Sequence, residues 1–345
     1  MSDDAQAESA TALPVLPPWL DAPARAALAL RERWPHALLV QGPAGVGKRA
    51  LSLHFARALL CEEPRADGSA CGACPSCHYV AVGQHPDLRL VEPFDVDEDG
   101  NVTPTEVIKI DAMRNLTQWS QRTSHRGIAK VAVIVPADRM HAPTANALLK
   151  TLEEPPPATY LLLVAHQAGR LLPTIASRCQ RHVVPLPQSD VALAWLASRR
   201  IANPEQLLAQ AGGAPLLAAE IAQRGVEGER NAWLDALSDP RTLAPVALAA
   251  RLDIGPREQR RERLAAAVDW LVAWTSDLAR VGAGGAASRN PERRSALALL
   301  ATQVARLPLF RYHRSLLEQR TLIGHPLQPR LVAEALLIDY RALFR

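Results

Sequence analysis

Two patterns of apolar residues alternate over the first half of the chain. Short unbroken apolar runs, "ALLVQ" (37–41), "KVAVIV" (130–135) and "TYLLLVA" (159–165), stand between polar flanks, the pattern of strands buried on both faces. Between them the period lengthens. Leu51, Phe55 and Leu59 recur at i, i+4 and i+8, which predicts one face of a helix. "IDAMRNLTQWSQRT" reads as an amphipathic helix, and a further helix is expected around Asp21 to Arg33. "TANALLKTLEE" predicts a helix with Thr144 as its N-cap, stopped by Pro155, Pro156 and Pro157. Residues 61–78 read as irregular, and the acidic, turn-rich 92–105 as a loop. Strands alternating with helices predict a parallel sheet with helices on both faces.

After about residue 187 strand signals nearly vanish. Ala- and Leu-rich helical stretches such as "DVALAWLASRR" and "RERLAAAVDWLVAWTSDLARV" follow, broken at "AGGAP", "SDP" and "GAGGAASRNP". The fold class expected is therefore α/β plus all-α. Residues 1–17 are expected to be disordered, 18–187 to form the sheet domain, 188–234 a small helical domain and 235–345 a larger helical domain. Trp270, Leu271 and Trp274 are assigned mainly to the core of the last.

Composition narrows this only a little. The 345 residues are 48% hydrophobic and 21% charged, enough for a substantial core in two or three domains. Aromatics are 4%, so that core is aliphatic. A net charge of +4 is too mild to argue for nucleic acid by itself. The polar, acidic start is unlike a signal peptide and no apolar run is long enough to span a bilayer, so a cytoplasmic protein with no membrane partner is expected.

Candidate chemistry lies in two stretches. "GPAGVGKRA" (42–50) matches the phosphate-binding pattern G-x-x-x-x-G-K-[ST] at Gly42, Gly47 and Lys48, with Gly45 inside the loop. It fails at the last place, where Arg49 replaces the hydroxyl that ligates Mg²⁺, and a guanidinium has only donors. The strand "KVAVIV" also lacks the acids expected at its end, where Val135 and Pro136 stand; Asp138 follows slightly later. Phosphate binding by the loop can survive both losses, whereas efficient hydrolysis is not expected. The second stretch, "CEEPRADGSACGACPSCHYV", brings Cys61, Cys71, Cys74 and Cys77 into one short segment. Four thiolates suit a closed tetrahedral Zn²⁺ site, structural rather than catalytic, with an iron–sulfur cluster as the chemical rival. Cys179 stands apart and reads as a small buried hydrophobe.

Taken with "NALLKTLEEPP" (146–156) and "LLPTIASRCQ" (171–180), these motifs resemble the clamp-loader branch of the AAA+ ATPases. The resemblance is strong over 19–187 and weak beyond. It implies an AAA+ P-loop sheet domain with a zinc-binding insertion, a helical lid and a C-terminal helical collar. It places an arginine finger on Arg178 within Ser177-Arg178-Cys179, acting in trans on a neighbour's ATP. It implies ATPase (gamma/tau) subunits and a delta subunit as partners in a five-subunit ring, with the sliding clamp and primer-template DNA met through the complex. The family's Asp-Glu is replaced by Val135-Pro136, and its lid sensor arginine by Pro215 in "AGGAPLLA" (211–218). A non-hydrolysing subunit is therefore expected, with ATP at its own loop left open. Two other readings stand beside it: an active P-loop ATPase using Asp138, and a zinc-dependent nucleic-acid-binding module. Glu153 and Glu154 end the helix predicted over 144–154, where its dipole disfavours them; a solvated face or a basic partner surface would each explain them.

Overall fold

The structure is a computed structural model that describes residues 14–96, 102–105, 107–323 and 328–344. The expectation of disorder over 1–17 lies outside the described residues for 1–13. The chain divides into two compact units, Met1–Pro187 and Gln188–Arg345.

The first unit runs α1 (Asp21–Leu28), β1 (Ala37–Gln41), α2 (Lys48–Leu60), α3 (Pro75–Ala81), β2 (Leu88–Val91), β3 (Phe94–Val96), β4 (Val102–Pro104), α4 (Ile110–Gln121), β5 (Lys130–Ile134), α5 (Ala142–Glu153), β6 (Thr159–Ala165), α6 (Pro173–Ala176) and β7 (Gln180–Val183). Five strands form one all-parallel sheet in the order β2-β5-β6-β1-β7. The apolar runs 37–41, 130–135 and 159–165 supply its three central strands, and every residue of β5 is buried. Side chains alternate across a strand. Leu39, Ala132, Ile134, Leu161 and Leu163 accordingly share a core with Met113 and Leu116 of α4 and Leu148 and Leu152 of α5. α2 packs on β5 and β6 and carries the buried Leu51, Phe55 and Leu59.

Three local expectations are corrected. The first helix is shorter than 21–33; it ends at Leu28 and a separate 3-10 turn covers Arg31–Arg33. α5 begins at Ala142, with His141 at the N-cap position and no side-chain cap, because Pro143 suits its first turn. Thr144 is thus inside the helix, its buried hydroxyl donating to the Ile108 carbonyl at 3.3 Å. The segment 92–105 holds a two-stranded antiparallel pair, with Phe94 opposite Pro104.

The second unit is helical: α7 (Ser189–Ser198), α8 (Pro204–Gln210), α9 (Pro215–Arg224), α10 (Glu227–Ser238), α11 (Pro245–Ala250), α12 (Arg257–Gly282), α13 (Arg294–Ala301), α14 (Arg306–Leu322) and α15 (Pro329–Ala342). It contains two apolar clusters. One joins α7, α8 and α9 through Ala192, Leu196, Leu207, Leu208 and Ala218. The other gathers α10 to α15 around Trp233, Leu271, Trp274, Leu316 and Tyr340, with Trp270 packed against it. A boundary after residue 234 would cut α10, whose Trp233, Leu234 and Leu237 belong to the second cluster. The Trp274 indole donates to the Tyr340 hydroxyl, which donates to the Leu237 carbonyl, each at 2.8 Å. Among the described residues no helix is long and apolar enough to cross a membrane.

Candidate functional site

The glycine loop follows β1 and opens α2. Gly45 and Gly47 sit at φ +76° and +97°, backbone that only glycine adopts without strain, and Gly47 caps the helix. Gly42 is fixed by contact as well: a Cβ there would fall 2.3 Å from the Val184 carbonyl oxygen. The loop therefore has the shape that turns backbone N–H groups toward an anion at a helix N-terminus. The Trp19 indole N–H donates to the Val46 carbonyl at 2.9 Å.

The side chains of the loop are already engaged within the chain. Lys48 is 2% exposed, and its ammonium donates to the Gly42 and Pro43 carbonyls at 2.7 and 2.5 Å. Burial lowers its pKa to about 8, against the opposing pull of the Asp138 carboxylate. Arg49, standing at the metal-ligating position, grips Glu92 with both forks: Nε to Oε1 at 2.7 Å and Nη2 to Oε2 at 3.0 Å. Glu92 directly follows β2, so the side chain at the hydroxyl position of the sequence pattern is held in a bidentate ion pair. Asp138 lies in the 3-10 turn Ala137–Arg139, past Val135 and Pro136. Its two carboxylate oxygens accept the backbone N–H groups of His166 and Gln167, each at 3.0 Å.

The lysine makes stability depend on pH. Below about pH 8 Lys48 is protonated whether the chain is folded or not, and the folded state bears its buried charge. Between there and the ordinary 10.5 the unfolded chain still binds a proton that the folded chain has released, so folding stability rises with pH. Denaturation midpoints of the parent and a Lys48→Met chain, compared from about pH 7.5 to about pH 10.5, are expected to show the parent gaining on the variant across that window.

Arg178 lies just past α6, a one-turn helix started by Pro173. Its Nη1 donates to the Thr174 carbonyl at 2.9 Å, and its Nη2 meets Glu153 Oε1 at 2.7 Å. One of the two glutamates at the end of α5 thus has an intramolecular partner, 25 positions on, that helical periodicity could not disclose. The neighbouring Cys179 is buried in the sheet core, its thiol pushed up to about 11 by burial.

The four remaining cysteines converge. Their sulfurs all lie within 4.8 Å of one another, with Cys61 and Cys74 at 3.9 Å and Cys71 and Cys77 at 4.0 Å. A tetrahedron with metal–sulfur bonds of about 2.3 Å requires sulfurs about 3.8 Å apart. Backbone N–H groups point at the ligands: Cys71 N at Cys61 Sγ (3.2 Å), Cys74 N at Cys71 Sγ (3.3 Å) and Cys77 N at Cys74 Sγ (3.4 Å). The N–H groups of Ala73 and Cys74 bring the Cys71 thiol down to about 6, while burial pushes Cys77 up to about 12 and Cys61 above its usual value. Such a set could hold one tetrahedral metal ion. α3 starts at Pro75 with Cys74 as its N-cap, so part of the segment expected to be irregular is helical. Glu62 ties the segment down: its Oε1 accepts the Ser76 N–H and hydroxyl and pairs with Arg126 at 2.6 Å.

Comparison with known proteins sets these features in a lineage. A family model described as "DNA polymerase III, delta subunit" matches residues 26–187. The chain is 39% identical over 256 residues to DNA polymerase III subunit delta' of Pseudomonas aeruginosa, covering 72% of this chain and 73% of that one. With the same subunit of Haemophilus influenzae it shares 32% identity over 247 residues, 70% of each. Among solved structures, a DNA polymerase III gamma subunit-related protein of Thermotoga maritima is similar over 95% of this chain and 100% of its own, at 19% identity and a TM-score of 0.41. On the extent and identity of the sequence matches, the chain belongs to the DNA polymerase III subunit delta-prime family.

Proposed function

We infer that the chain is a non-hydrolysing subunit of the bacterial clamp loader, supporting ATP-driven loading of the sliding clamp onto primed DNA, and that it lends Arg178 to the ATP site of a neighbouring gamma/tau subunit. A delta subunit would complete the five-membered ring, whose collar would be built from α10 to α15. One observation carries the reading. Both groups that would handle magnesium at the chain's own loop are half-buried and tied to intramolecular partners, Arg49 to Glu92 and Asp138 to two backbone amides, while Arg178, though paired with Glu153 and the Thr174 carbonyl, is exposed. A hydrolytic site needs a hydroxyl on Mg²⁺ and an acid to order the metal and attacking water. A donated finger needs only a positioned guanidinium near the surface. The Cys61, Cys71, Cys74 and Cys77 module would hold a structural Zn²⁺.

The competing reading is an ATPase acting alone through Lys48 and Asp138. The two are separated by the purified chain with MgATP: no steady-state phosphate release above buffer is expected, from the parent or from Lys48→Ala. Turnover that Lys48→Ala abolishes would install the second reading in place of the first. Grip on nucleotide by Gly42, Gly45, Gly47 and Lys48 without hydrolysis is a separate property, which equilibrium binding of labelled ATP reports.

A further inference from the structure

Glu153 is the last residue of α5, where the helix's exposed carbonyls disfavour an anion. The structure gives it one clear partner, the Arg178 guanidinium, through Nη2 at 2.7 Å. The second Nη of that guanidinium is held by the Thr174 carbonyl. We propose that Glu153 is a resting partner for Arg178: it occupies the guanidinium until a neighbour's triphosphate takes its place, and so sets how readily the arginine is delivered. The proposal rests on the reading of Arg178 as a finger.

The chemistry is one of competing acceptors. A carboxylate and a phosphoryl oxygen are both anionic and seek the same N–H donors of a guanidinium. A carboxylate left beside the arginine during catalysis would cancel its charge and repel the phosphate it is meant to approach. The Glu153 contact and the phosphate contact therefore oppose one another. The Thr174 carbonyl is a neutral acceptor, so its bond leaves the positive charge in place and anchors one end of the fork while the other changes partner. Exposure fixes the strength of the hold. The side chains of Arg178 and Glu153 are 36% and 48% accessible, so water and salt weaken their attraction. A pair of this kind throttles the arginine; it does not lock it. Glu153 is thus a positioning residue, acting through Arg178 and touching no substrate.

A merely structural role, offsetting the unfavourable end of α5, would change the stability of the chain and nothing in the neighbour. The two roles separate in the reconstituted clamp-loader complex with its ATPase subunits, clamp and primed DNA. Hydrolysis at the adjacent site is followed with the parent chain, Glu153→Gln, Arg178→Ala and the double variant. Glu153→Gln is expected to raise the rate about two- to five-fold, the span of an exposed ion pair. The gain should be largest at low salt and shrink as salt screens the charges. Glu153→Asp, whose carboxylate is withdrawn by one methylene, should move the rate the same way by less. In the Arg178→Ala background Glu153→Gln should change nothing. An unchanged or lowered rate for Glu153→Gln overturns the proposal, as does a gain of equal size in the Arg178→Ala background. If Arg178→Ala alone retains the parent rate, the finger reading itself falls, and the proposal with it.

Discussion

Within the proposed clamp-loader ring, an Arg178→Ala chain is expected to assemble normally and to leave one ATP site almost silent. The guanidinium is partly exposed and holds only a surface ion pair and one carbonyl, so its loss should cost the fold little. Its value would lie across the subunit boundary. As a γ-phosphoryl group departs, charge builds on its oxygens, and a donated arginine accelerates transfer by about 10³–10⁵ in known nucleotide hydrolases. Pre-steady-state phosphate release should therefore lose the amplitude of one site per ring while assembly, followed by gel filtration, stays normal. Arg178→Lys keeps the charge but not the planar fork, and should recover only a small part of the rate. Unchanged release together with unchanged clamp loading would remove Arg178 from the catalytic machinery.

What the sequence discloses and what it conceals follow from the range of the interactions. The central strands announce themselves because a parallel strand covered on both faces must be apolar throughout, as Val131 to Ile134 are. The loop is legible because its backbone demands glycine at Gly45 and Gly47. The cysteine cluster is legible because its ligands sit within one short segment. The partners of the charged groups are not. Arg49 finds Glu92 across 43 positions, and Asp138 finds the amides of His166 and Gln167 across 28 and 29. Each depends on which strand ends lie side by side in the sheet, an arrangement set by the order β2-β5-β6-β1 and not by local pattern. The Arg178 to Glu153 pair is of the same kind, and the fate of the glutamates ending α5 could not be decided from helical periodicity. Thr144 was misplaced for a different reason: Pro143 at the first turn outweighs a threonine cap one residue later.

Removing one sulfur from the cysteine cluster should unfold the module that carries it. The module has little apolar core of its own: its buried cluster is Cys61, Cys74 and Cys77 with Ala70 and Cys71 packed against them, and α3 adds the buried Val80. Structural zinc contributes about 10–16 kcal/mol of apparent binding free energy in small peptide modules, which is folding free energy where no site exists in the unfolded segment. Four sulfurs facing each other would otherwise meet as a mixture of thiols and thiolates, with Cys77 favouring the thiol and Cys71 the thiolate. A divalent cation makes all four thiolates compatible at the spacing observed. The purified chain is accordingly expected to carry about one zinc, with no iron absorbance, and Cys77→Ser close to none. In that variant protease should cut within 62–73, while the parent resists until treated with a chelator. The damage should stay local. Arg31 holds the Leu59 carbonyl near the end of α2, and Asp87 holds the amides of His125 and Arg126, without help from the cluster. Cys179→Ser, altering a sulfur buried in the sheet core, should leave the metal content unchanged. Four thiols that titrate freely in the chain as purified, or a visible iron chromophore, would overturn the zinc assignment, because a closed tetrahedral site leaves none of its sulfurs available.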